Sequence, residues 1–322
     1  MTTLQTTRAS DVLPEEEVAA LGPILDHIER LKEERNAIVA AHNYMTPDIF
    51  YLAADIKGDS LALAQLALDT EADVIVMAGV HFMAETAKII NPEKTVLIPD
   101  LGAGCSLADG ITGADVRRLR ELHPGVPVVT YVNTSAEVKA ESDITCTSSN
   151  AVAVVESLGV DRVIFTPDQY LGRWVATQTD VDVILWEGSC IVHERFTGAE
   201  ISDYRSQHGD IAVIAHPECP PDVLAEADYV GSTHGMIDWV TTRQPDRVMM
   251  ITECSMADNV ARQTPHTVYV RPCNLCPYMK RITLDNIRSS LATLTHRIEI
   301  PPDVAERARV AVMRMLEVGR QD

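Results

Sequence analysis

Three cysteines recur at a nearly constant interval, and that interval constrains the chain more than any other feature. Cys190 follows an apolar run, Val183 to Trp186, that stops at Gly188. Cys105 stands 190 − 105 = 85 residues earlier, after the run Thr95 to Pro99. Cys276 stands 276 − 190 = 86 residues later, after His266 to Val270. Each thiol lies just past a β-rich stretch. The pattern reads as a threefold internal repeat that delivers one cysteine per repeat to a common point.

A second set of marks keeps the same phase. The run Ala37 to Ala41 ends in His42-Asn43-Tyr44, Val126 to Tyr131 in Tyr131-Val132-Asn133, and Ile211 to Ala215 in His216-Pro217-Glu218. Their spacings are 131 − 42 = 89 and 216 − 131 = 85. A third set, Asp73, Asp143 and Asp228, gives 143 − 73 = 70 and 228 − 143 = 85. On that reading the first repeat carries extra residues near Gly58-Asp59-Ser60. It also lacks the strand that the others have at Arg162–Thr166 and Arg247–Thr252.

Short continuous apolar strands alternating with helical patterns predict parallel sheets covered on both faces. In such sheets ligands bind beyond the carboxyl ends of the strands, where all the marked residues fall. The expected fold is α/β: three pseudo-symmetric α/β/α domains with short parallel sheets around a central active-site cavity. The expected divisions are an N-terminal helical segment (1–35), repeats at 36–112, 113–205 and 206–282, and C-terminal helices (283–322) packing back on the domains.

The formal net charge of −20 argues against nucleic acid and an anionic membrane surface as partners. Aromatic residues, at 5%, are too few for a base-stacking surface. The first 17 residues lack the apolar core of a signal peptide, and no apolar run approaches the roughly 18 residues of a membrane span. A cytoplasmic protein is expected. Seven cysteines in that setting point to metal or redox chemistry in place of disulfide staples.

Lone cysteines are usually small buried hydrophobes. Three in register are not explained that way. Soft thiolates suit zinc or an iron–sulfur cluster. Cys273 and Cys276 have the spacing of half a zinc site, but no second close pair completes it. Three ligands at a pseudo-threefold axis suit a cubane cluster with one iron left open, and an open iron is a Lewis acid. Cys273 reads as a fourth ligand, a redox partner of Cys276, or packing. Cys146, Cys219 and Cys254 fall outside the phase.

The strand-end residues His42 with Tyr44, Tyr131 with Asn133, and His216 with Glu218 are i, i+2 pairs, whose side chains point the same way on an extended chain. Six acid, base and hydrogen-bonding groups therefore converge, and His193 lies within reach of Cys190. Hydroxyl-rich turns at Ser60, Ser148 with Asn150, and Ser232 with Thr233 each open a helical pattern. Any one of them is an ordinary helix cap. Together they make a set of anion sites from backbone N–H groups. A hydro-lyase with an open iron, a non-catalytic iron–sulfur protein and a zinc protein are the competing readings.

These residues, taken with Ala41-His-Asn-Tyr44, Gly58-Asp-Ser60, Phe82-Met-Ala-Glu85, Tyr131-Val-Asn133, Cys146-Thr-Ser148, His216-Pro-Glu-Cys-Pro220, Tyr229-Val-Gly-Ser-Thr233 and Cys276-Pro-Tyr-Met279, resemble the quinolinate synthase family in its motif order. The resemblance implies three α/β domains around a 4Fe–4S cluster held by Cys105, Cys190 and Cys276. It implies condensation of iminoaspartate with dihydroxyacetone phosphate to quinolinate, in NAD biosynthesis, with L-aspartate oxidase as functional partner. Tyr44 and Glu218 would transfer protons; His42, His193 and His216 would position or polarise the triose. Tyr131 and Asn133 would hold a substrate carboxylate or the developing ring, and Ser60, Ser148, Ser232 and Thr233 a carboxylate or phosphate. Some relatives carry a cysteine where this chain has Val270.

Overall fold

A computed structural model describes residues 4–8, 11–209 and 211–320. Parts of the expected terminal segments, residues 1–3, 9–10 and 321–322, lie outside the described residues. The chain opens with β1 (Leu4–Thr7) and then builds three similar units. The first contains α1 (Glu15–Arg35), β2 (Ala37–His42), a π-helical turn, β3 (Ile56–Gly58), α2 (Ser60–Asp69), β4 (Val74–Ala78), α3 (His81–Ile90), β5 (Thr95–Leu97) and α4 (Ser106–Asp109). The second contains α5 (Gly113–Leu122), β6 (Val128–Tyr131), α6 (Ala136–Ala140), β7 (Ile144–Cys146), α7 (Ala151–Ser157), β8 (Arg162–Thr166), α8 (Gln169–Ala176) and β9 (Asp182–Leu185). The third contains α9 (Gly198–His208), β10 (Ala212–Ala215), α10 (Pro221–Ala225), β11 (Tyr229–Val230), α11 (Thr233–Arg243), β12 (Arg247–Ile251), α12 (Cys254–Ala261) and β13 (Val268–Pro272). Two helices follow, α13 (Leu284–Thr293) and α14 (Pro302–Val318).

The strand orders are β3-β2-β4-β5, β7-β6-β8-β9 and β11-β10-β12-β13. The three sheets therefore share one topology. All these pairings are parallel; β1 adds an antiparallel edge to β13. The central strands are apolar runs buried on both faces, such as Val74 to Ala78 and Val128 to Tyr131.

Two expectations change here. The first repeat does possess a fourth strand: β3 has only three residues, of which Ile56 alone is strongly apolar, and it lies half-exposed at the sheet edge. An edge strand so short leaves no apolar run to read. Its discovery shifts the third set of marks. Asp55, and not Asp73, is the counterpart of Asp143 and Asp228. Each of these carboxylates accepts from the backbone N–H of the neighbouring strand, Val39, Val128 and Val213, at 2.7 Å. Each also meets a cation 23 residues earlier: Lys32 at 2.6 Å, Arg120 at 2.7 Å and Arg205 at 2.6 Å. The intervals become 143 − 55 = 88 and 228 − 143 = 85, so the short interval disappears. Asp73 belongs with Asp161 and Asp246, whose carbonyls receive the first N–H of β5, β9 and β13.

Because Lys32 lies on α1, that helix is the first repeat's counterpart of α5 and α9. Seven residues after each cysteine a threonine caps a helix: Thr112, Thr197 and Thr283 each accept from the N–H three residues on. The last of these, α13, packs against α1 and closes the three units into a ring. Helix α14 buries Ala308, Ala311, Val312 and Met315, a helical stripe, against α3, α6 and β7. Among the described residues no helix is long and apolar enough to cross a membrane.

Candidate active site and thiol centre

The carboxyl ends of the three sheets face one cavity of about 740 Å³, its mouth included. It is lined by Cys105, Cys190 and Cys276, by His42, Tyr44, Tyr131, Asn133, His193, His216 and Glu218, and by Ser60, Ser148 and Thr233. Ser232 does not line it: its hydroxyl caps α11 by accepting from the Gly235 N–H, and it borders a neighbouring cavity. Ser60, Ser148 and Thr233 are pseudo-equivalent, each five residues after its aspartate at 55, 143 or 228.

The thiols arrive there by one local construction. In each repeat the first N–H of the helix after the third strand donates to the residue two before the cysteine: His81 to Ala103, Gln169 to Gly188 and Cys254 to Asn274. The cysteine carbonyl then accepts from the N–H four residues on, at Asp109, Glu194 and Lys280. At Gly188 the approach is close enough that a Cβ would lie 2.4 Å from the Pro167 carbonyl oxygen.

Glu218 is the electrostatic centre. Its Oε2 lies 2.6 Å from His193 Nδ1 and 3.7 Å from His216 Nδ1. Burial alone would raise its pKa, but the two imidazoles and hydrogen bonds from His193 and Tyr131 outweigh it and hold the carboxyl at about 2. Burial pushes His42 down to about 4 and His216 down to about 3. Burial, then the Glu218 charge, raises the Tyr44 and Tyr131 phenols well above their ordinary value. At neutral pH Glu218 is therefore an ionised base and Tyr44 a protonated acid.

The repeats meet through polar contacts at this point. Thr252 Oγ1 lies 2.6 Å from the Tyr44 hydroxyl and 2.9 Å from His193 Nε2. Asn43 donates to Thr233 at 3.0 Å, and His216 Nε2 lies 3.2 Å from the Ser148 hydroxyl. The Asn133 amide donates to Glu218 at 3.4 Å. Its Oδ1 is buried without a hydrogen-bond partner among the described residues, leaving an acceptor for a ligand N–H or O–H.

Glu253 lines the cavity and Thr252 and Lys280 stand behind its wall; the strand-end pattern revealed none of the three. Buried Glu253 accepts from the Cys276 N–H at 3.2 Å and from Lys280 at 3.1 Å. Lys280 also donates to the Tyr44 carbonyl at 2.7 Å. The signal existed: Val80, Asp168 and Glu253 repeat at 168 − 80 = 88 and 253 − 168 = 85, each at the position that opens the helix after its third strand, where Asp168 and Glu253 accept a cap hydrogen bond.

One reading of the cysteines is corrected. Cys254 and Cys273 form a disulfide, with their Cα atoms 5.1 Å apart. A bridge between Glu253 and Asn274 sets the ends of β12 and β13 side by side, so the adjacent cysteines face each other. Cys273 is thus paired with Cys254 and not with Cys276. Cys105, Cys190 and Cys276 are free and partly buried; Cys146 and Cys219 are free and fully buried.

The donor set fits a soft metal centre. Burial pushes the Cys105 thiol up to about 12 and raises Cys190 and Cys276, so thiolates at this point require a cation beside them. His193 Nδ1 is 3.2 Å from Cys190 Sγ, and the donor atoms of Cys190, His193 and Glu218 lie within 4.8 Å of one another.

Residues 26–317 match the family described as quinolinate synthetase A protein. The chain is 63% identical to quinolinate synthase 2 of Mesorhizobium japonicum over 97% of this chain and 96% of the relative. It is 57% identical to quinolinate synthase of Agrobacterium fabrum, over 97% of this chain and 90% of the relative. It is 55% identical to that of Caulobacter vibrioides, over 92% and 82%. These matches span all three repeats and every thiol that faces the cavity, and the chain belongs to the quinolinate synthase A family.

Proposed function

We propose that the cavity condenses iminoaspartate with dihydroxyacetone phosphate, giving quinolinate, phosphate and two molecules of water. The observation that carries this reading is the pairing of ionised Glu218 with protonated Tyr44 in one cavity beside three converging thiols. The process is redox-neutral and needs proton removal, protonation of leaving oxygens, and binding of anionic groups. Glu218 takes protons, and His193 at 2.6 Å relays or holds them. Tyr44 donates to a leaving hydroxyl, and Thr252 orients its O–H. Neutral His42 and His216 donate or accept hydrogen bonds to the triose. Tyr131 and Asn133 hold the growing ring. The Ser60, Ser148 and Thr233 hydroxyls, with helix N-termini behind them, take phosphate or carboxylate.

Cys105, Cys190 and Cys276 are the residues that would hold a 4Fe–4S cluster. Such a cluster supplies a Lewis-acidic iron with one position not taken by protein. An enzyme that oxidises L-aspartate, L-aspartate oxidase, is the functional partner that would supply the unstable imine. The test is an anaerobic assay of brown, iron-loaded protein with both substrates, reading quinolinate by chromatography. Iron-loaded protein that binds dihydroxyacetone phosphate and forms no quinolinate overturns the reaction. Colourless, zinc-loaded protein overturns the cluster.

A further inference from the structure

The chain's last described residue reaches the wall of the cavity. Gly319, with φ of +70°, ends α14 and turns the chain toward the strand ends of repeats one and two. Asn150 donates to its carbonyl at 2.9 Å. Arg320 then spreads its guanidinium over Asp59: Nη2 donates to Oδ1 at 2.8 Å and Nη1 to Oδ2 at 2.9 Å. Nη1 also donates to the Ser149 hydroxyl at 2.9 Å, and that hydroxyl donates to Asp59 at 2.7 Å. Asp59 is buried and caps α2 by accepting from the Ala62 N–H. Its neighbour in sequence is Ser60, and that of Ser149 is Ser148; both line the cavity.

The first anion-binding turn therefore carries a carboxylate next to the hydroxyl that faces the ligand. No lysine or arginine lines the cavity among the described residues. An uncompensated Asp59 would repel the phosphate or carboxylate that Ser60 and Ser148 are placed to receive. We infer that Arg320 is a positioning residue for substrate binding, neutralising Asp59 and locking the Ser60 turn of repeat one against the Ser148 turn of repeat two. The bidentate fork suits both tasks, since one planar group spans two oxygens of Asp59 and the Ser149 hydroxyl. This inference rests on the proposed anionic substrate.

The test uses anaerobically purified holoenzyme in four forms: wild type, Arg320→Met, Arg320→Lys, and Asp59→Asn with Arg320→Met. Iron content, kcat, KM for dihydroxyacetone phosphate and its Kd by calorimetry are measured. Arg320→Met keeps its iron and kcat but raises KM and Kd about tenfold or more. Arg320→Lys falls between, because one ammonium cannot span both oxygens. The double variant recovers most of the loss, because asparagine keeps the cap and removes the charge. Unchanged KM and Kd in Arg320→Met overturn the inference alone. A loss that Asp59→Asn does not rescue reduces Arg320 to a tether and also overturns it. Wild-type protein that neither binds dihydroxyacetone phosphate nor forms quinolinate overturns the proposed function and this inference with it.

Discussion

Repeats one and two share an apolar cluster running from Ile28 through Val76, Val129 and Phe165 to Met315, and repeat two has a second, smaller one around Val116, Val128 and Ile164. Repeat three keeps two clusters of its own, one around Val213 and Ile251 and the other around Ile214, Met250 and Val260, on opposite faces of its sheet. The topology is the same three times; the attachment is not. Helix α14 welds the first two units by burying apolar surface against both. The third joins them at the site through the contacts of Thr252, Thr233, His216 and Glu218 described above. Non-directional burial holds what need not move. Directional hydrogen bonds, which release at modest cost when water replaces them, hold the side of the cavity that carries the base.

The largest effect expected from testing this contrast falls on the thiols. Among the described residues Cys276 is the one thiol of repeat three that lines the cavity, and Cys276→Ala should abolish iron binding as fully as Cys105→Ala or Cys190→Ala. Cys146→Ala and Cys219→Ala should keep their iron. Retention of the cluster in Cys276→Ala, measured by iron content and visible absorbance, would break the claim that all three units hold it.

Next comes proton transfer. Glu218→Gln and Tyr44→Phe should each keep iron and lose roughly 10²–10⁴-fold in rate. Glu218 belongs to repeat three and Tyr44 to repeat one, so the paired variant should lose less than the product if both serve one step. Near-normal turnover in Glu218→Gln with intact iron would move the base to a histidine.

A smaller effect is set by pH. His42 and His216 have pKa values pushed by burial to about 4 and about 3, below the ordinary 6.5. An unfolded or opened chain takes up their protons first. The stability they contribute while neutral is present above pH 6.5 and is lost as pH falls toward 4 and 3. Each histidine costs up to about 1.4 kcal/mol per pH unit over that window. Glu218, held at about 2 against an ordinary 4.5, adds its loss only below pH 4.5. With the intrinsic pH dependence of exchange divided out, amides of β2 and β10, the strands that lead into His42 and His216, should therefore lose protection faster than those of β6 between pH 6.5 and 4.5. Equal acceleration in all three sheets would erase the contrast.

The smallest effect concerns the disulfide. It lies within repeat three, behind the thiol loop. Cys254→Ser with Cys273→Ser should leave iron content near wild type while lowering the melting temperature of the oxidised protein. Loss of iron in that variant would make the disulfide part of the thiol centre.

Much of this was legible in the sequence because period is a strong signal where residue type and spacing coincide. The cysteines and the pairs ending β2, β6 and β10 had both. Strand β3 had neither length nor apolar content, so Asp73 was set in phase with Asp143 and Asp228, and Asp55 was overlooked. Glu253 escaped because its counterparts, Val80 and Asp168, differ in chemistry while sharing a position. Arg320 escaped for a different reason: its partner Asp59 is 261 residues away, and no local pattern encodes a contact across the whole chain. The Cys254–Cys273 bond spans only 19 residues and was hidden for another reason: the register of β12 and β13 brings the pair together.

The closure of the ring has a mechanical consequence. Repeat three is tied to repeat one by two segments, in addition to its covalent link with repeat two through α9. Strand β1 is paired into its sheet before the chain builds α1, and the chain leaving it forms α13, which docks on α1. A body held at two points on one neighbour and joined by its chain to the other cannot swing clear of either. The contact of Glu218 with His193 is thereby built across a joint whose two sides the chain itself holds in register.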